Sequence, residues 1–337
     1  MPSKMSDLSM DELLKKRTTT ILESTLKSSQ LSNKLHGFLV GGYIKVTVKQ
    51  EGILIKLVRA GDRSFEWSFS DVRGVGRPRT TKINGVSVPF QKIKAIKSQM
   101  QKAGLKSASP TNMDKILNTI ICHLSFVFPG CRVTLDLELS KKYNSDFQWK
   151  RALSGLTVHR LVLRGDGNEG FEQVMNNVRV NSRIENNCTF KNDKFEKTVK
   201  ILQQPEVIWC RSAGWLNMKT LPGLRAGHMR FIMKRLDEDW IRSFLKNWKR
   251  SRCDEVDQIE AVVIQHPRRS NAALEEFEEF LENELRGRPW NGPVGDYYRE
   301  TGTSIIVDCR DATVIRRKHL SGIVATIGLG YTALVVE

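Results

Sequence analysis

The sequence predicts an α/β protein: a curved domain of leucine-rich-repeat-like βα repeats, preceded by a β-meander and a small helical segment. Three observations carry that prediction. Strand-like text recurs as RVTLDLEL, TVHRLVLR, IENNCTF, PEVIWCR, MRFIMKR and DQIEAVVI, starting near residues 132, 157, 184, 205, 229 and 257 at intervals of 25, 27, 21, 24 and 28. Helical text fills several of the gaps, at 171–178 (FEQVMNNV), 195–203 (FEKTVKILQ) and 237–250. Upstream, residues 43–70 alternate apolar and polar side chains with period two, the pattern of half-buried strands. A βα unit this short cannot cover its own apolar face, so it needs like neighbours. Solenoids of this kind repeat about every 20–29 residues. The strict leucine consensus with its asparagine ladder is missing, and a doubly wound α/β sheet predicts the same alternation as the alternative.

From the N-terminus, residues 1–40 read as two or three short helices broken near Thr18–Thr20 and Ser28–Ser32. Three consecutive β-branched threonines are poor helix interior. The meander at 43–70 divides at Gln50–Gly52 and Ala60–Arg63 into three antiparallel strands. Residues 71–111 read as irregular and basic, with one hairpin signal at Asn84–Gly85 and a linker at Ser107–Thr111. Thr111 or Asn112 caps a helix through Leu124, and the βα repeats occupy 112–290.

The clearest helix is 237–250. Trp240, Ile241, Phe244, Leu245 and Trp248 form one apolar stripe, with Asp237, Glu238 and Asp239 in the first turn and Lys246, Lys249 and Arg250 in the last. Those charges have the signs that the helix dipole favours at each end. Its outward Arg242, Lys246 and Lys249 are where a contact on this helix would start. A second helix spans Ser270–Gly287, with Leu274, Phe277, Phe280, Leu281 and Leu285 as its stripe and a glutamate-rich outer face read as solvated charge. RPWNGPVGDYY (288–298) reads as loop. SIIVDCR, ATVIRR, GIVATIGL and YTALVVE close the chain as antiparallel strands over 300–337.

Composition narrows the function. Among 337 residues, 40% hydrophobic content suffices for a buried core, and no run approaches the length of a membrane span. The N-terminus lacks an apolar signal-peptide core, which predicts an intracellular protein, cytoplasmic or nuclear. The six cysteines lie far apart with no CxxC, and read as reduced thiols. The net charge of +17 is concentrated at the front: residues 1–110 carry 20 Lys and Arg against 8 Asp and Glu. The excess marks an acidic partner or nucleic acid as options. It lacks aromatic residues spaced for base stacking, so a solvated basic face is the simpler reading.

The motifs that could carry chemistry each meet a plainer explanation. Gly165-Asp166-Gly167-Asn168-Glu169-Gly170 is a formal GxGxxG between strand and helix, with Glu185 downstream where a ribose-binding acid would sit. Its own carboxylates, Asp166 and Glu169, oppose a pyrophosphate, and the strand that follows is too polar for the centre of a buried parallel sheet. The six histidines form no metal-ligand spacing, and no GxSxG is present. We therefore expect no enzyme, no cofactor and no metal.

Two blocks nevertheless resemble a known family. Trp215, Met218 and Leu221 in a W-x-x-L-x-x-L pattern, then a strand, then Trp240, Ile241, Phe244, Leu245 and Trp248, are similar to the central signature of the nematode-type F-box-associated domain. Ile315, Arg316, Arg317 and, after a gap, Ile323, Val324, Ala325, Thr326 and Ile327 are similar to its closing strand pair. The resemblance covers 43–337. Residues 8–14 and 26–34 resemble a degenerate F-box, with Ser9 in place of the usual proline and no mid-motif Asp-Pro. The resemblance implies a substrate-recognition subunit of a Skp–cullin–F-box ubiquitin ligase. Leu8, Leu13, Leu14, Ile21, Leu22, Leu26 and Leu31 would then meet the Skp-type adaptor, and the βα domain would hold an unknown target protein. A stand-alone protein- or nucleic-acid-binding module is the alternative.

Overall fold

The computed structural model describes residues 42–49, 52–58, 64–70, 79–83, 86–92, 103–108, 113–127, 130–139, 148–167, 169–190, 205–211, 226–235, 237–250, 259–291, 296–299, 306–308, 312–317, 320–327 and 330–336. The N-terminal helical segment lies outside these residues, and with it Leu8, Leu13, Leu14, Ile21, Leu22, Leu26 and Leu31. So do Trp215, Leu221 and the helix expected at 195–203. The protein is mixed α/β, with strands outnumbering helices among the described residues. It forms two compact units, Met1–Arg164 with Glu169–Arg179, and Gly165–Asn168 with Val180–Glu337.

The first unit contains β1 (Tyr43–Lys49), β2 (Gly52–Val58), β3 (Ser64–Ser70), β4 (Arg79–Ile83), β5 (Val86–Lys92), β6 (Ala103–Ala108), β7 (Arg132–Leu139) and β8 (Thr157–Asp166). Its helices are α1 (Met113–Val127), α2 (Trp149–Leu153) and α3 (Glu169–Asn177). The strands lie in the order β8-β7-β1-β2-β3-β6-β5-β4. The expected meander is present: β1 pairs antiparallel with β2, and β2 with β3. β4 and β5 pair antiparallel on either side of Asn84–Gly85, as the hairpin signal predicts.

The expectation of irregular chain over 71–111 needs correction, because β4, β5 and β6 all lie there, and β6 takes up part of the expected linker. Pro89 hides β5 from sequence reading, since proline is unwelcome in a paired strand. Pro89 stands opposite Thr80 in the β4–β5 ladder, while the β5–β6 ladder is confined to Gln91 and Lys92.

Period-two alternation builds this unit's core. Ile44, Val46 and Val48 stand opposite Leu57, Ile55 and Ile53 on one side and Val133, Leu135 and Leu137 on the other, and all nine are buried. The helices contribute Ile116, Leu117, Ile120, Ile121 and Leu124 from α1, Trp149 and Leu153 from α2, and Phe171 and Val174 from α3. Asn118 on α1 donates from Nδ2 to the carbonyls of Ala152 (3.2 Å) and Ser154 (3.0 Å), satisfying the end of α2. Gly155 follows with φ of +75°, a conformation in which glycine escapes the Cβ penalty.

The second unit contains β9 (Arg179–Thr189), β10 (Val207–Cys210), β11 (His228–Ile232), α4 (Glu238–Arg250), β12 (Ala261–Gln265) and α5 (Asn271–Glu279), which continues into a π turn at Phe280–Glu284. Then come β13 (Arg288–Pro289), β14 (Asp296–Arg299), β15 (Ile306–Asp308), β16 (Thr313–Arg317), β17 (Leu320–Ile327) and β18 (Tyr331–Val336). β9, β10, β11 and β12 are parallel neighbours in sequence order. β12 then pairs antiparallel with β18, and β18-β17-β16-β13 continue antiparallel.

Three expectations change in detail. β9 begins at Arg179, ahead of the expected 184, because Val180 is the one apolar residue in 179–183. The loop expected at 288–298 holds β13 and most of β14. SIIVDCR supplies β15, which pairs with β14 in a separate two-stranded sheet and does not join the closing strands.

The stripe of α4 is buried along its length and packs on one sheet face. Trp240 meets Phe231 edge-on at 6.0 Å and stacks on Phe244 at 5.8 Å. Trp248 lies over Gly322 of β17, whose hypothetical Cβ would sit 2.6 Å from the indole and 2.8 Å from Leu334. Burying each large apolar side chain contributes about 1.5–3 kcal/mol. Asp237 caps the helix, its Oδ1 accepting from the Trp240 amide at 2.9 Å. We predict that Gly322→Ala lowers stability by about 1–3 kcal/mol in chemical denaturation, since the added methyl would clash with the buried Trp248 and Leu334. An unchanged midpoint would show that this contact is loose.

Candidate functional site

The parallel strands present two different faces. In register, Ile184, Ile208, Met229 and Val262 share one face with Phe231 and Ile264, and all are buried. This is the face under α4. On the opposite face, Arg183, Val207, His228 and Ala261 form one row, and Glu185, Trp209, Arg230 and Val263 the next. Beyond β12 that second face becomes an apolar cluster of Val263, Ala312, Ile323, Ala325, Ala333 and Val335, flanked by Trp290 and Tyr331. No described helix of the unit packs on the part formed by β9, β10 and β11.

At its centre Trp209 is half-buried between two arginines. The guanidinium carbon of Arg183 lies 5.1 Å from the indole centroid, and that of Arg230 lies 5.3 Å from it. Each such contact is worth about 0.5–2 kcal/mol, depending on how dry it is. The Arg183 Nε is 2.6 Å from Glu185 Oε1, and Arg230 Nη2 donates to Gln265 Oε1 at 3.4 Å. His228 faces Glu260 at 3.2 Å. The indole Nε1 of Trp209 is buried without a hydrogen-bond partner among the described residues. Two guanidiniums and an indole thus share this strand face with the carboxylates of Glu185 and Glu260. Nothing in the row pairs a nucleophile with a base.

A second polar cluster lies under the helices. Arg269, nearly fully buried, donates through Nε and Nη2 to both carboxylate oxygens of Glu238. Its Nη1 donates to Thr332 Oγ1 at 2.8 Å, and its guanidinium sits 4.3 Å from the centroid of the Phe277 ring. His266 Nε2 is 3.1 Å from that same hydroxyl, and Nδ1 is 2.8 Å from the Pro267 carbonyl. The carbonyl only accepts, so Nδ1 carries the proton, and the Thr332 hydroxyl donates to a neutral Nε2. Burial, helped by the Arg269 charge, pushes the His266 pKa down against the Pro267 hydrogen bond and the Glu238 charge, which raise it. Each polar atom of this chain has a use inside the fold, tying both helix N-termini to β12 and β18.

The residues expected to matter fall mainly in the core. Trp240, Phe244, Leu245 and Trp248 are buried, as is Arg317, whose guanidinium lies 5.9 Å from the Trp248 ring. Ala325 is buried in the apolar cluster on the other face, Thr326 stands opposite Thr332, and Arg316 is exposed. The outer cations of α4 each have a partner within the unit. Arg242 pairs with Glu276 at 3.9 Å, Lys246 with Glu284 at 2.5 Å, and Lys249 donates to the Leu285 carbonyl. Glu276 and Glu284 stay 72% and 51% exposed, so these contacts are surface ion pairs that leave the glutamates solvated. Glu238 does more than complement the helix dipole.

In the GxGxxG segment, the Gly167 amide donates to the Thr189 carbonyl at 2.7 Å, and a Cβ there would strike the Phe190 ring at 2.1 Å. That glycine serves close packing. Glu185 is engaged by Arg183. Among the described residues, no group of three His, Cys, Asp or Glu side chains is arranged to hold a metal, and no helix is long and apolar enough to cross a membrane.

Arg183, Trp209 and Arg230 escape motif reading because each looks like an ordinary polar-side residue of its own strand. Their only signal is recurrence at the strand interval. Glu238, Arg269 and Thr332 carry no local signal, since their partners lie 31 and 63 residues apart.

The lowered His266 pKa gives stability a pH dependence with a definite sign. Above pH ~6.5 the ring is neutral in both folded and unfolded chains. As pH falls below that value the unfolded chain takes up the proton first, so stability drops until the folded pKa is passed. We predict that His266→Gln flattens this part of the profile in urea titrations between about pH 7 and 5. Thr332→Val, which orphans Arg269 Nη1 and His266 Nε2, should cost about 2–4 kcal/mol. A wild-type-like pH slope in the glutamine variant would contradict the assignment. Comparison with family models, with curated proteins and with solved structures returned no match for this chain.

Proposed function

We propose that this chain is the target-recognition subunit of a Skp–cullin–F-box ubiquitin ligase, holding its target protein on the strand face centred on Trp209. The observation that carries this reading is the Arg183–Trp209–Arg230 stack on a face without a described helix. Tryptophan and arginine are the residues most enriched where protein interfaces concentrate their binding energy. The two sequence blocks that resemble the nematode-type F-box-associated domain support the ligase part of the proposal. The sequential parallel order of β9 to β12 supports reading the unit as leucine-rich-repeat-like βα repeats.

Under this reading residues 1–40 dock on the Skp-type adaptor through Leu8, Leu13, Leu14, Ile21, Leu22, Leu26 and Leu31, and the protein works in the cytoplasm or nucleus. Affinity purification of the full chain, and of a form lacking residues 1–40, tests it. Adaptor and cullin should co-purify with the full chain and vanish with the truncation. Trp209→Ala should keep the adaptor and weaken target capture about tenfold or more. Failure of the full chain to bind the adaptor would leave a stand-alone binding module and end the ligase reading.

A further inference from the structure

Three cations gather where α4 ends. Lys249 and Arg250 are its last two residues, and the Lys249 ammonium donates to the carbonyl of Leu285, just after the π turn. Arg286 follows directly. The Gly287 amide donates back to the Leu281 carbonyl at 2.9 Å, so Arg286 fills the left-handed position of this helix end, where glycine is usual. With φ of +47° it is the only non-glycine residue so placed among the described residues. An arginine there strains the backbone, yet its exposed side chain forms no salt bridge among the described residues. Exposed Arg250 forms none either. Burial, and then the charges of Arg286 and Arg250, hold the Lys249 pKa below the ordinary lysine value, so the three charges act on one another. Of the carboxylates in the π turn, Glu284 is taken by Lys246, and Glu282 bridges to none of the three.

We propose that Lys249, Arg250 and Arg286 form a binding site for a phosphate monoester group. Charge decides the class of ligand. A helix C-terminus carries about −0.5 charge, so the ends of α4 and of the π turn together offset about one of the three positive charges and leave about two. A phosphate monoester brings about −1.5 to −2 at neutral pH, with three acceptor oxygens. A carboxylate brings a single charge and a pair of oxygens, which one arginine fork satisfies. The site offers two guanidinium forks and the ammonium N–H groups that Leu285 leaves over. Helix α4 packs on the sheet face opposite Trp209, so this site stands or falls apart from the reading of that face.

Phosphorus NMR titrations of small anions with the full chain test this. Asp254, Glu255 and Asp257, which follow Arg250 in the sequence, are then present. The probes are O-phosphoserine and glycerol phosphate as monoesters, and dimethyl phosphate as a singly charged diester like that of a nucleic-acid backbone. Each monoester should bind saturably and at least about fivefold tighter than the diester, with affinity falling as salt rises. A preference for one monoester assigns the source, a phosphorylated side chain or a small metabolite. Arg286→Gly removes a cation while suiting the left-handed backbone, so it keeps the fold. That change, Lys249→Gln and Arg250→Gln should each weaken monoester binding about threefold or more. Exposed Arg268→Gln, ahead of α5, should change nothing. Thermal melts identify any variant that is merely unfolded. No saturable monoester binding, equal binding of the diester, or indifference to all three substitutions would overturn the proposal.

Discussion

The second unit depends on the contact of Trp248 with Gly322. A side chain at position 322 would hold the indole off the sheet, and with it the whole stripe of α4. Because glycine stands there, Trp248, Leu245, Phe244 and Trp240 all reach the sheet, and Arg317 comes to lie beside the same indole. The helix is thereby committed to one face. Its outer Arg242 and Lys246 pair at the surface with Glu276 of α5 and Glu284 of the π turn. The most conspicuous helix in the sequence is consequently internal fabric.

The buried His266–Thr332–Arg269–Glu238 chain continues that fastening in polar form. A charge pair taken out of water is costly unless each remaining donor and acceptor is met. Here both Glu238 oxygens and three Arg269 donors are used, and Thr332 bridges to a neutral imidazole. The arrangement joins α4 to the start of α5 and to β18, a junction that apolar packing alone would leave less specific in register.

How much of this was legible depended on the range of the interactions. Helix α4 and its capping acid were readable because stripe and cap are local and periodic. The meander and the hairpin around Asn84–Gly85 were readable for the same reason. β6 and the full extent of β4 and β5 were missed where Pro89 and scattered lysines break the period, and the start of β9 was missed because Val180 is the one apolar residue in 179–183. Arg183, Trp209 and Arg230 come together only through strand register, which no single strand announces. The pairing of Arg269 with Glu238 spans helix and loop and had no local trace. Only the glycines of GDGNEG suggested a chemistry, and Phe190 accounts for the packing of one of them.

The central claim is that the strand face around Trp209, and not the helical face, meets the partner. Photo-crosslinking tests it most directly, with a benzophenone side chain placed either at Ile232 on that face or at exposed Glu278 on α5. The account predicts that a protein captured with the full chain crosslinks from position 232 and that Trp209→Ala abolishes the crosslink, while position 278 stays silent. Crosslinks to that protein from 278 and none from 232 would contradict it.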